Sequence, residues 1–153
     1  MRYMNRALEL AKIAFDKGEV PVGAVVISPD GEIIGEGYNL RESSRNPLTH
    51  AEIIAINNAS KQLNSWRLLD CSIYITLEPC AMCYGAIVNS RVGKIIFGAY
   101  DKKAGVCGSL INLAEVPFNH MPEVEGGFMQ EECSALLSDF FRALRESKKA
   151  NQA

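Results

Sequence analysis

Residues 72–99 read SIYITLEPCAMCYGAIVNSRVGKIIFGA, and this stretch decides the fold. Residues 72–77 are β-branched and aromatic, the composition of a short buried strand. Residues 81–89 are apolar and free of β-breaking charges, and they end at Ser90-Arg91-Val92-Gly93, a helix stop. Residues 94–99 then resume a strand pattern. Strand, helix and strand in succession imply a parallel pair with the helix lying on one sheet face.

Working outward gives the remaining elements. Residues 3–15 place Leu8, Ala11, Ile13 and Phe15 among Arg6, Glu9, Lys12 and Asp16, an amphipathic helix closed by Lys17-Gly18. A hairpin follows: a strand at 22–27, the turn Ser28-Pro29-Asp30-Gly31, and a second strand at 32–37. Residues 51–63 have helical spacing. Residues 122–128 make a weak fifth strand, interrupted by Gly126-Gly127. Residues 131–147 form the strongest helix, with Leu136, Leu137, Phe140, Phe141 and Leu144 on one side. Phe140 and Phe141 are adjacent, so only one of them can face a core. The expected architecture is α/β, a three-layer α/β/α arrangement around a mixed five-stranded sheet. No linker or repeat divides residues 1–153, so one domain is expected.

Composition bounds the function. The chain has 153 residues, 48% apolar and 22% charged, enough to bury a core without disulfides. Its net charge of −2 is not the footprint of a general nucleic-acid binder, so any affinity for phosphate must come from local basic patches. Met1-Arg2-Tyr3-Met4-Asn5-Arg6 leads into no unbroken apolar run, so neither a signal peptide nor a membrane span is expected. Five cysteines, an odd number, favour thiol or metal chemistry in a reducing compartment, with the cytoplasm as the default.

Two segments carry the chemistry, His50-Ala51-Glu52 and Pro79-Cys80-Ala81-Met82-Cys83, and each opens an expected helix. Cys80 and Cys83 are three apart and share one face of a helical turn. Their thiolates suit zinc and are favoured at a helix N-terminus. A neutral imidazole from His50 supplies a third ligand. Three protein ligands leave the fourth position of a tetrahedral zinc for water, the pattern of a catalytic ion, whereas a structural zinc is closed by a fourth Cys or His. Glu52 stands two residues from a ligand, placed to move protons without binding the metal. Cys71, Cys107, Cys133 and His120 fall outside any such spacing. The cysteines read as small buried hydrophobes, and His120 as a loop histidine.

The order H-x-E then P-C-x-x-C matches a known signature of zinc nucleobase deaminases. The likeness extends through EVPVGAV at 19–25, GEGYN at 35–39, THAEI at 49–53, TLEPCAMC at 76–83, FGA at 97–99, GVCGSL at 105–110 and ECSALLSDFFR at 132–142. On these segments the chain resembles the bacterial tRNA-specific adenosine deaminases over roughly residues 3–145, within the cytidine-deaminase-like zinc superfamily.

That resemblance implies hydrolytic conversion of the wobble adenosine of a tRNA to inosine. Zinc-activated water would attack C6, with Glu52 as proton shuttle, in a cytoplasmic homodimer. It further implies that Asn39 reads the flipped base and that Val20 is an apolar wall. Asp101 would lie beside the sugar of the preceding nucleotide. Phe140, Phe141 and Arg142 would lie near the anticodon loop. Tyr100 departs from the arginine the resemblance leads one to expect, exchanging a cation for a ring able to stack on a base.

Residues 142–149 set Arg142, Arg145, Lys148 and Lys149 against Glu146, and Lys102-Lys103 form a second small basic patch. Either can contact RNA or be an ordinary solvated surface. Three rivals stay open on sequence: a free guanine, cytosine or nucleoside deaminase with the same site chemistry, a non-catalytic zinc-containing RNA-binding partner subunit, and a structural zinc module. The presence of Glu52 speaks against the second, and the C-terminal block against the first.

Overall fold

The computed structural model describes residues 1–152. The elements follow in the order α1 (Arg2–Asp16), β1 (Gly23–Ile27), β2 (Ile33–Tyr38), α2 (Ala51–Leu63), β3 (Ser72–Leu77), α3 (Ala81–Ser90), β4 (Lys94–Ala99), a single 3-10 turn at Leu113–Glu115, β5 (Glu123–Glu125) and α4 (Gln130–Gln152). The sheet order is β2-β1-β3-β4-β5. β1 is antiparallel to both β2 and β3, while β3, β4 and β5 run parallel. The mixed five-stranded sheet is therefore as expected.

The helix between β2 and β3 does not create a parallel neighbour, because β1 inserts between them. The fifth strand is only three residues long. The chain reaches it from β4 through residues 100–122, which contain one 3-10 turn and no α-helix.

Two apolar layers sandwich the sheet. On one face Val22, Ala24, Val26, Ile73, Ile75, Ile95 and Phe97 pack against Ala51, Ala55 and Ala59 of α2 and Tyr84, Ile87 and Val88 of α3. On the other, Val25, Ile27, Tyr74, Ile96 and Ala99 meet Met4, Ala7 and Leu10 of α1 and Cys133 and Leu137 of α4. The alternation along each strand follows from the two-residue period of a β-strand. α2 lies close on β2 because Gly35 and Gly37 present no side chain. A Cβ at either would strike helix backbone at Ala55 or Ala51.

In α1 the buried stripe is Met4, Ala7, Leu10, Ala11 and Ala14. Of the apolar residues singled out from the sequence only Ala11 is fully buried, and Ile13 points to solvent. α4 also departs from expectation. Cys133 and Phe140 are its only buried residues, and every residue from 141 to 152 is exposed. The helix packs through its first half and then projects from the body. Among the described residues no helix is long and apolar enough to cross a membrane.

Candidate active site

The N-termini of α2 and α3 converge beyond the carboxyl ends of β2 and β3. His50 and Cys80 are their N-cap residues, both in extended conformation, and neither side chain caps its helix. Serine, threonine, aspartate and asparagine are the usual N-caps. Here the side chains turn toward one another instead. His50 Nδ1 lies 3.7 Å from Cys80 Sγ and 3.5 Å from Cys83 Sγ. The three donor atoms lie within 4.8 Å of each other, and among the described residues this is the one group of three or more His, Cys, Asp or Glu able to hold a metal ion.

The protonation chemistry fits a cation at that point. The Cys80 thiol is brought down to about 4, first because Cys83 donates a hydrogen bond to its sulfur and then through His50. Cys83 is correspondingly pushed up, first by its hydrogen bond to Cys80 and then by burial. His50 is raised by its contact with Cys80. The remaining cysteines behave as buried thiols, as expected: burial pushes Cys107 up to about 12 and Cys133 to about 11, and raises Cys71. His120 accepts no such role, since its Nε2 lies 2.7 Å from the Val92 carbonyl.

A cavity of about 500 Å³ opens beside this cluster. His50, Glu52 and Cys80 form its floor, while Cys83 is fully buried behind it. Glu52 is only 4% exposed, and burial pushes its carboxyl above the usual range. Val20, Val22, Leu77, Phe140, Phe141 and Leu144 supply apolar wall, with Arg41, Glu42 and Asp101 at the mouth. A larger, more open depression between α1, β2 and α2 contains no histidine or cysteine, so size does not mark the reactive site.

The structure brings most of the expected residues to this cavity. Asn39 lines it with its side chain already engaged: Nδ2 donates to the Val20 carbonyl and Oδ1 accepts from the Arg41 amide, both at 3.2 Å. One N–H and one lone pair remain for a ligand. Asp101 Oδ1 accepts from the amides of Lys103 and Ala104, shaping its loop. Phe140 is buried at 7% exposure, edge-on to Phe15, whereas Phe141 is 42% exposed on the cavity wall.

Two residues are not brought in. Arg142 turns its guanidinium to Asp139 at 2.9 Å and does not line the cavity. Tyr100 packs edge-on against Phe97 and also stays outside.

Sequence reasoning missed Glu19, Arg41, Glu78 and Leu144, all of which line the cavity. The only local signal for the two carboxylates was an acidic residue set among apolar ones.

Comparison with known proteins agrees with this geometry. The family model described as MafB19-like deaminase matches residues 1–145. A protein of Bacillus subtilis (strain 168) named tRNA-specific adenosine deaminase is 52% identical over 149 residues, covering 97% of this chain and 92% of its own length. Its namesake in Haemophilus influenzae is 47% identical, covering 99% of this chain and 88% of its own. A solved structure from studies of A-to-I editing by tRNA:A34 deaminases at the wobble position of transfer RNA superposes with a TM-score of 0.83 at 34% identity, over 88% of this chain and 98% of that one. Identity of this depth over nearly the whole length of both partners places the chain in the family of tRNA-specific adenosine deaminases.

Proposed function

We propose that this chain, as a single domain, converts adenosine to inosine at the wobble position of a tRNA, consuming water and releasing ammonia. The observation that carries the reading is one cavity whose floor joins a His-Cys-Cys donor set to a buried glutamate, and whose wall continues onto an exposed aromatic of α4.

Zinc is the ion that fits. Tetrahedral zinc, with bonds of about 2.3 Å to sulfur and about 2.0 Å to nitrogen, sets those donors about 3.6 Å apart. The separations here are 3.7 and 3.5 Å. Bound there, zinc supplies a Lewis acid that brings the pKa of water to about 7.

The protein's own groups do the rest. Val20 and Phe141 flank a base withdrawn from its stack, at lower cost in a loop than in a duplex. The free N–H and lone pair of Asn39 are available to its edge. The Glu52 carboxylate takes one proton from water and delivers it to N1, then takes the second from the hydroxyl now on C6 and passes it to the amine, whose bond to C6 breaks to release ammonia. Burial raises the Glu52 carboxyl above its ordinary range, so it holds a collected proton more readily than an exposed glutamate does. Asp101 at the mouth faces the preceding nucleotide. Arg142, one residue beyond the cavity wall, meets the phosphate backbone outside it. A cytoplasmic homodimer completes the reading. Leu110, Ile111, Val116, Phe118 and Met121 are exposed, which supplies apolar surface for a second copy to cover.

The test offers the protein an anticodon stem-loop with adenosine at the wobble position, and separately free adenosine, cytidine and guanine. Inosine formed only in the stem-loop is the expected result. Turnover of guanine or cytidine instead would assign the site to free bases or nucleosides.

A further inference from the structure

Two buried carboxylates line the cavity without belonging to the metal cluster or the proton pathway. Glu19 is 1% and Glu78 2% exposed. Burying a carboxylate is costly unless it is fully hydrogen-bonded, and each of these is bonded by a different loop. Glu19 Oε1 accepts from the amide of Glu42 at 3.0 Å, and its Oε2 accepts from the amide and hydroxyl of Ser43. Glu78 Oε1 accepts from the amide of Asp101 at 3.0 Å and from the hydroxyl of Ser109. Its Oε2 accepts from the amides of Cys107 and Ser109 at 2.9 and 3.2 Å.

None of these donors lies in a helix or one of the five strands. All belong to two segments that contribute residues to the cavity lining. One carries Arg41, among the described residues the only lysine or arginine lining the cavity, and Glu42. The other carries Asp101 and Ala104. The fit of the second loop is close. A Cβ at Gly105 would collide with the Glu78 carboxyl group, so the backbone there rides directly on the carboxylate. Residues 41–48 are all exposed, and apart from Glu19 the hydrogen bonds that hold them come from within residues 39–50.

We infer that Glu19 and Glu78 are positioning residues that fix the two loops between which the RNA substrate is gripped, acting through those loops and not on the reacting atoms. The inference deepens the proposed deamination of tRNA and rests on it. Neither carboxylate accepts a hydrogen bond from the sheet or from α1–α4, so its loss loosens its loop first; the Glu78 loop also lays Val106 and Cys107 on the core. A preorganised rim lowers the ordering cost of binding, and that gain appears in KM before kcat.

The experiment measures steady-state deamination of the stem-loop by the zinc-loaded full chain, as wild type, Glu19→Gln and Glu78→Gln. Glutamine replaces one acceptor oxygen with an NH2 group facing the same donors. KM should rise about tenfold and kcat fall less than about threefold, the size expected when one or two charge-assisted hydrogen bonds are removed. Hydrogen exchange provides a readout independent of catalysis. Amides 42 and 43 should lose protection only in Glu19→Gln, and amides 101, 107 and 109 only in Glu78→Gln, while β1, β3 and β4 stay protected.

Should either glutamine variant fail to fold, Ser43→Ala and Ser109→Ala remove one donor each and should raise KM by about two- to fivefold. Unchanged loop protection, sheet amides that lose as much protection as the loop amides, or a fall in kcat at constant KM would overturn the inference. An inactive wild type whose loop amides still respond as described would instead fault the assignment of the reaction.

Discussion

At the floor of the cavity His50, Glu52 and Cys80, with Cys83 buried behind them, come from the first turns of two helices that are packed on the sheet. At its rim, Arg41, Asp101, Ala104, Phe141 and Leu144 come from two loops and an outlying helix. The floor is held by the core itself, so its geometry is as stable as the fold. The rim is held by a few hydrogen bonds from buried carboxylates and by the packed half of α4. Chemistry that needs reacting atoms within a fraction of an ångström sits on the first kind of support. Recognition of a large polyanion, which tolerates adjustment, sits on the second.

The sharpest break in that comparison comes from the floor. Cys83→Ala removes the sulfur proposed as a ligand, which is buried behind the cavity and cannot be replaced by solvent without opening α3. The variant should hold little zinc, show no measurable deamination and unfold more easily, because metal binding is coupled to folding. Metal analysis of the purified protein checks this, and full zinc retention would disprove the ligand assignment.

Glu52→Ala should leave zinc and fold in place while lowering kcat by at least about 10²–10⁴, the usual worth of a positioned proton-transfer group. KM should change little, the reverse of the pattern expected for Glu19→Gln. Activity within about threefold of wild type would remove Glu52 from the proton pathway.

At the rim, replacing Arg142, Arg145, Lys148 and Lys149 by glutamine should have a smaller, salt-dependent effect. These side chains lie on the fully exposed part of α4. The pairing of Arg142 with Asp139 is an exposed i,i+3 interaction of little energetic weight, which a phosphate can displace. For every phosphate that the variant no longer neutralises, the plot of log affinity against log salt should flatten by about 0.7–0.9. An unchanged slope would move the phosphate contacts to Arg41, Lys102 and Lys103.

The same division explains what could be read before the fold was known. A helix converts residue offsets into distances, so Cys80 and Cys83 three apart, and Glu52 two after His50, already imply a compact site. The β-branched runs at 72–77 and 94–99 likewise announced β3 and β4 at their observed bounds. No periodicity relates Glu19 to Ser43, or Glu78 to Ser109. Leu77-Glu78-Pro79 looks from sequence like a charge in a turn, and only the tertiary arrangement supplies its four donors. α4 misled for a related reason. Leu137 and Phe140 are spent on the core, while Phe141 and Leu144 continue the same apolar stripe past the edge of the sheet. An amphipathic pattern shows which side is apolar, not how far the neighbour that covers it extends.

The smallest expected effect concerns the link between rim and core, and it is read through pH. Burial alone would raise the Glu19 carboxyl, but the Ser43 hydroxyl, the amides of Glu42 and Ser43 and the nearby Arg41 together hold it below the usual carboxylate range. A group whose pKa is depressed on folding stabilises the protein above its unfolded value, about 4.3 for glutamate, and that contribution is lost as the pH falls through the folded value. At pH 7 wild type should therefore exceed Glu19→Gln in unfolding free energy by about 1–3 kcal/mol, the usual cost of removing hydrogen bonds to a buried charge. Below about pH 4.3 the gap should narrow, because protonated Glu19 becomes nearly equivalent to glutamine. Urea titrations of both proteins at pH 7 and across the acid range measure the gap directly, and metal release at low pH enters both alike. A gap that stays constant with pH would mean that the shape of Glu19 and not its charge holds the loop. The rim would then be as firmly packed as the floor, and the contrast between them would lie in position alone.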